Sequence, residues 1–374
     1  MANIRDLYDG KRNVITQGAI PRTIDRAFKA HLLGSKSVLV LDSFPGMWKS
    51  GGVAYWNNSQ TQAREFYDIR LGNLLPSDVR IPTADLTEDV CKTLLTNRLP
   101  FHRPKDGHYT VFCDEIFNMP VPMQKVFLQI ALDREIDGKK LPTDTFIVGA
   151  GNGMLTRSHG ERFGMAQVDR LNRQFVIPDN GEFCNHLRST GKMPEMEAFI
   201  SLNPSLPYGF NPKEWDGESG LATFRSLFEI GLLINTYKDA SGRFIENPND
   251  DPAFVGMVAG KVGDSVADAL QAFLVIFATV GSIDHVIDNP DTFEVPDSPT
   301  TKWVIATKLV GAASSTNFAR VIRAARRLAP GSPGWVEMFV GRSATNSKPG
   351  LRSTPEAIAW LGSAPVIDAA CNRN

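Results

Sequence analysis

Two short stretches bring together residue types that handle phosphate. The first, Ser43-Phe44-Pro45-Gly46-Met47-Trp48-Lys49-Ser50, ends in a lysine and a hydroxyl. Set against the pattern G-x-x-x-x-G-K-[ST], it keeps Lys49 and Ser50 and replaces both glycines, with Ser43 and Trp48. In such a loop the backbone amides and the following helix N-terminus cradle phosphate, the lysine supplies a point charge, and the hydroxyl faces magnesium. Pro45, Gly46, Met47, Trp48, Lys49, Ser50 and Gly51 are therefore the candidate nucleotide-binding residues. Alone, the segment also reads as a strand, turn and helix with a surface lysine. The second stretch runs from Tyr109 to Asp114 and Glu115. An aspartate beside a phosphate loop can hold Mg2+ together with Ser50, and a glutamate next to it can polarise water. Asn152, closing the run DTFIVGAGN, could hydrogen-bond a terminal phosphate or that water, and is also an ordinary turn residue.

Positioning these groups needs strands that end where they stand. Val38 to Leu41, YTVFCDE and DTFIVGAGN are short apolar runs ending in polar residues, as buried strands feeding loops do. Between the last two, Val126, Phe127, Ile130 and Leu132 mark an apolar helical face before a turn at Asp137-Gly138. Strands alternating with helices predict a parallel sheet covered on both faces, with its ligand at the carboxyl ends of the strands. After about Asp179 the runs turn helical: EMEAFISL, ATFRSLFEIGLLINTY and VGDSVADALQAFLVIFATV. The stretch IDNPDTFEVPDSPTTK reads as an extended linker, followed by a helix from about Trp303 and another from Asn317 to Leu328. Arg320, Arg323, Arg326 and Arg327 on the latter predict a solvated or intersubunit face, with nucleic-acid binding as the alternative.

With 374 residues, 42% of them hydrophobic and 22% charged, the chain has enough length for two or three packed units. Lys and Arg number 40 against 41 Asp and Glu, a formal charge of -1, which gives no strongly basic grip on nucleic acid. The four cysteines, Cys91, Cys113, Cys184 and Cys371, lack metal-ligand spacing. No stretch approaches the roughly 20 apolar residues of a membrane span, and the expectation is a cytoplasmic protein.

Taken in order, SFPGMWKS, VFCDEIFNMPVPMQKVFLQIALDREIDGKKLP, FIVGAGN, VDRLNRQFVI and ATFRSLFEI resemble MoxR-type AAA+ ATPases. The resemblance implies an α/β AAA+ P-loop nucleotide-binding domain with a parallel sheet over residues 1–190. An α-helical lid over 191–290 and a linker with C-terminal helices over 291–374 would follow. It places Lys49 and Ser50 in Walker A, Asp114 and Glu115 in Walker B, and Asn152 as sensor 1. It makes Arg173 the arginine finger, with Arg170 as a competing candidate, and Arg225 sensor 2. Asp68, Arg70, Asp78 and Arg80 fall where the family carries a D-L-R element and read as structural or remodelling elements. A finger delivered from a neighbouring subunit contributes ~10³ to 10⁵ in rate and demands an oligomer. The implied protein binds ATP or ADP with Mg2+, forms a homo-oligomeric ring, usually hexameric, and remodels a protein client, in related systems a von Willebrand A-domain protein. A non-hydrolysing nucleotide-bound scaffold and a DNA-associated motor are the alternatives. Ser43 and Trp48 depart from the family.

Overall fold

The structure, a computed structural model, describes residues 8, 10–88, 90–153, 168–190, 193–210, 215, 217–239, 244–329 and 335–363. It divides into two compact units, residues 2–179 and 180–374.

The first unit is built on a parallel sheet of β1 (Val14–Thr16), β2 (Val38–Ser43), β3 (Glu65–Arg70), β6 (His108–Asp114), β9 (Asp144–Gly151) and β10 (Leu171–Ile177), in the order β1-β10-β2-β9-β6-β3. The hairpins β4 (Arg80–Asp85) with β5 (Val90–Leu95), and β7 (Glu135–Ile136) with β8 (Lys139–Lys140), stand apart from it. Every residue of β2 is buried. That is the signature of a parallel strand covered on both faces, and it explains why VLVL is continuous rather than alternating. Helices α1 (Ile20–Leu32) and α2 (Lys49–Asn58) pack on each other, and α3 (Val121–Leu128) follows β6. The register sets Asp42 of β2 beside Gly151 of β9, and Cys113 of β6 beside Gly149. Three polar strand ends therefore lie side by side. The long edge strand β3 carries exposed Glu65, Asp68 and Arg70 around a buried Ile69. Asp78 accepts from the Leu75 amide at 2.8 Å, and Arg80 pairs with Asp137 at 3.0 Å, so both brace the local backbone.

Among the described residues the second unit is helical: α4 (Asn180–Thr190), α5 (Pro194–Leu202), α6 (Phe224–Asn235), α7 (Pro252–Val262), α8 (Asp264–Thr279), α9 (Asp284–Asp288), α10 (Pro299–Ala312), α11 (Phe318–Leu328), α12 (Trp335–Ser347) and α13 (Pro355–Leu361). The architecture of a parallel α/β domain followed by helices is the one that the AAA+ resemblance implied.

One expectation needs correction here and another is refined. The Pro- and Asp-rich stretch is not an extended linker: it starts in the last residues of α9, it runs into α10 at Pro299, and Phe293 between them is buried in the C-terminal core. The arginines of α11 do form a solvated face, and each has a partner within its own unit. Arg320 pairs with Asp288 at 2.8 Å, Arg323 with Asp291 at 2.9 Å and Arg326 with Glu337 at 2.7 Å, and Arg327 donates to the Phe293 carbonyl at 3.0 Å. The opposite face, with Val321, Ala324, Ala325 and Leu328, fills the core, so the arginines are drawn to carboxylates and a carbonyl of the same unit. Their charge is matched by carboxylates of the same unit, which weakens the alternative of a grip on nucleic acid.

Candidate functional site

The loop between β2 and α2 carries its side chains in two directions. Phe44 and Met47 are buried and anchor it, while Gly46 turns at φ 76°. Trp48 takes φ 58°, the left-handed conformation that the consensus glycine of this position adopts without cost. A side chain there costs roughly 1–2 kcal/mol. The indole is 41% exposed and lies over the first turn of α2, against Tyr55. Gly51 makes room for it, since a Cβ at Gly51 would stand 2.4 Å from the indole Nε1. The tryptophan is thus turned outward along the helix rather than into the core.

Lys49 is buried, and its ammonium donates to Ser43 Oγ at 2.8 Å, to the Phe44 carbonyl at 3.3 Å and to Asn152 Oδ1 at 2.7 Å. Ser43, the other departure from the consensus, therefore gives Lys49 an acceptor inside its own loop. Ser50 Oγ donates to Asp114 Oδ2 at 3.3 Å. A hydroxyl and a carboxylate facing each other beside a phosphate loop are a donor set that suits Mg2+, which takes one or two carboxylates with waters and substrate phosphates. Glu115 sits just beyond β6 at φ 57°, with its carboxylate against Gly72, where a Cβ would meet Oε2 at 2.8 Å. Its amide donates to Asp114 Oδ1 at 2.9 Å, which orients the neighbouring carboxylate.

Beneath these groups lies a residue that the motif comparison missed. Asp42, fully buried on β2, accepts from the Gly153 amide at 2.8 Å through Oδ1 and from Arg173 Nε at 2.8 Å through Oδ2, with a further bond from Arg173 Nη2. Arg173 lies on β10, with its guanidinium stacked on Phe117 and Phe175. The Phe117 ring also explains why glycine flanks Asn152, because a Cβ at Gly151 or Gly153 would come within 3 Å of it. An aspartate inside an otherwise apolar strand, VLVLD, was the available signal for Asp42. Cys113, one residue before Asp114, is inert, its thiol pushed up to about 12 by burial.

The structure thus brings together Lys49, Ser50, Asp114 and Asn152, with Glu115 adjacent in the chain and Arg173 tied to Asp42 behind them. Pro45, Gly46, Met47, Trp48 and Gly51 form the loop and the first turn around Lys49. Arg225 belongs to the second unit, exposed on the first turn of α6, whose N-terminus is capped by Thr223. Arg170 precedes β10, where its carbonyl accepts from the Val38 amide at 3.1 Å.

No protein-family profile matches the chain, and no curated protein matches it. Among solved structures, a candidate ATPase from Cytophaga hutchinsonii is similar at 14% identity and a TM-score of 0.33, over 69% of this chain and 81% of that one. NtrX from Brucella abortus is similar at 14% identity and a TM-score of 0.34, over 90% of this chain and 67% of that one. The complex of NtrX with ATP is similar at 12% identity and a TM-score of 0.33, over 95% of this chain and 66% of that one. No described helix is long and apolar enough to cross a membrane.

Proposed function

We propose that the chain is an ATP-hydrolysing protein of AAA+ type, MoxR-like, that binds Mg2+–ATP between its phosphate loop and the ends of β6 and β9. The observation that carries this reading is the convergence of Lys49 with Asn152, and of Ser50 with Asp114, at adjacent carboxyl ends of parallel strands. Nucleotide phosphates would replace the loop oxygens that Lys49 now holds, with the loop amides and the N-terminus of α2 as donors. Ser50 and Asp114 would hold Mg2+, which when bound would neutralise charge on the phosphate oxygens. Glu115 takes the proton of the attacking water, and Asn152 orients that water or the terminal phosphate.

Arg173 is proposed as the finger and Arg225 as sensor 2. For Arg173 to reach a neighbouring subunit it must leave Asp42, so the ion pair holds it in reserve in the single chain. A homo-oligomeric ring, hexameric by family resemblance, acting in the cytoplasm on a protein client such as a von Willebrand A-domain protein, completes the proposal.

The test is steady-state ATP hydrolysis across a protein concentration series, beside Glu115→Gln prepared identically. Turnover that rises steeply with protein concentration and falls about 10²-fold or more in the variant, with ATP affinity retained, is the expected result. Equal turnover in both proteins refutes the role of Glu115. ATP binding without turnover in either favours a nucleotide-held scaffold.

A further inference from the structure

Ser43 ends β2 at the position where the phosphate-loop pattern has glycine, so this chain adds a hydroxyl to the loop. We propose that this hydroxyl is a built-in competitor for the nucleotide: it occupies Lys49 in the empty loop and so sets how tightly the site holds a nucleoside di- or triphosphate. The inference rests on the nucleotide-binding reading above and adds to it a control on affinity.

Hydrogen bonding fixes which way the hydroxyl faces. Ser43 is 1% exposed, and its backbone is held by β10, where it pairs with Val176. Its Oγ gives its one proton to the Phe44 carbonyl at 2.8 Å. Lone pairs are what remain on that oxygen, and Lys49 donates to them at 2.8 Å. Turning the hydroxyl away would leave buried polar atoms unmet, so the contact is specified by the fold of the loop.

The ammonium has three N–H bonds to give. Ser43 Oγ, the Phe44 carbonyl at 3.3 Å and Asn152 Oδ1 at 2.7 Å can take all three, with the Ser43 carbonyl beside them at 3.5 Å. Glycine at this position would leave Asn152 and the two longer carbonyl contacts. An arriving phosphate must break the bond between Lys49 and Ser43, and a hydrogen bond from a charged donor is a strong one. The gain on binding is therefore the difference between phosphate and hydroxyl as partners of Lys49. On release the ammonium has a partner to return to, which favours departure of the nucleotide.

This effect is separate from that of Trp48. The indole is turned outward along α2, and its cost lies in the left-handed backbone rather than in the partners of the lysine. Ser43 lies in strand backbone, which alanine adopts as readily, so its hydroxyl can be removed without moving the chain.

The experiment titrates ATP and ADP by calorimetry into the full chain, into Ser43→Ala and into Ser43→Gly, which restores the usual residue. Both nucleotides are expected to bind about tenfold tighter to the variants. Acetylation of Lys49 in the nucleotide-free proteins, followed by peptide mass spectrometry against the surface lysines, reports on the ammonium itself and is expected to be severalfold faster in the variants. Equal affinities, or equal labelling of Lys49, overturn this inference and leave the nucleotide reading standing. Weaker binding by the variants also overturns it, and makes the hydroxyl a ligand of the phosphate. Absence of nucleotide binding by all three proteins overturns both.

Discussion

At the carboxyl ends of the strands Lys49 directs its ammonium to loop oxygens and a side-chain amide, all of which a polyphosphate could replace. At the amino ends Arg64 is fixed by Asp144, Thr110 and a backbone carbonyl, contacts that hold strands in register. Both are buried cations on one sheet. The first is held by partners it can exchange, the second by partners it cannot lose, and that difference separates a binding group from a structural one.

The contrast is broken most severely by Asp144→Ala, which leaves the Arg64 guanidinium buried without its carboxylate and should cost about 3–5 kcal/mol of stability in chemical unfolding. The loss is pH-dependent. Burial raises the Asp144 carboxyl, but hydrogen bonds and charge from Arg64 and His108 outweigh it and hold it below its ordinary value. The pair therefore stabilises fully above about pH 4 and fades as pH falls through the lower folded value, so the gap between the two proteins should narrow in acid. An unchanged stability would make Arg64 as exchangeable as Lys49.

Next in size is Lys49→Ala, expected to leave the fold intact while weakening ATP at least about 100-fold by calorimetry, roughly 2.7 kcal/mol. Retained ATP affinity would dissolve the distinction from the other side. The smallest effect is that of Trp48→Gly. It relieves a left-handed side chain worth roughly 1–2 kcal/mol and should stabilise the loop, with ATP affinity raised severalfold. Weaker binding would mean that the indole itself touches the nucleotide.

Much of this site was legible in the sequence because its determinants are local. An apolar run followed by a fixed spacing to Lys49 and Ser50, or by Asp114 and Glu115, says where a strand ends and what stands at its tip. β2, β6 and β9 were readable for that reason. The role of Asp42 was not, since its partners Gly153 and Arg173 lie more than a hundred residues away in the chain. The α11 arginines were half legible for the same reason: their spacing gave the exposed helix face, while Asp288, Asp291 and Glu337 that pair with it come from other segments. Phe293 misled differently, because one aromatic among prolines and aspartates is too weak a signal to reveal a packed loop.

The outer strand β3 has consequences for how copies of this protein can meet. Among the described residues no strand pairs with its outer side, which offers backbone amides and carbonyls that a second chain could zip onto, the usual route to uncontrolled aggregation. Exposed Glu65, Asp68 and Arg70 interrupt that row, and burial together with the nearby Asp114 makes Asp68 a weaker acid than usual. Continuous strand-to-strand fusion along this margin would force those charges against a copy of themselves, so neighbours that approach it must fit by side-chain shape and charge.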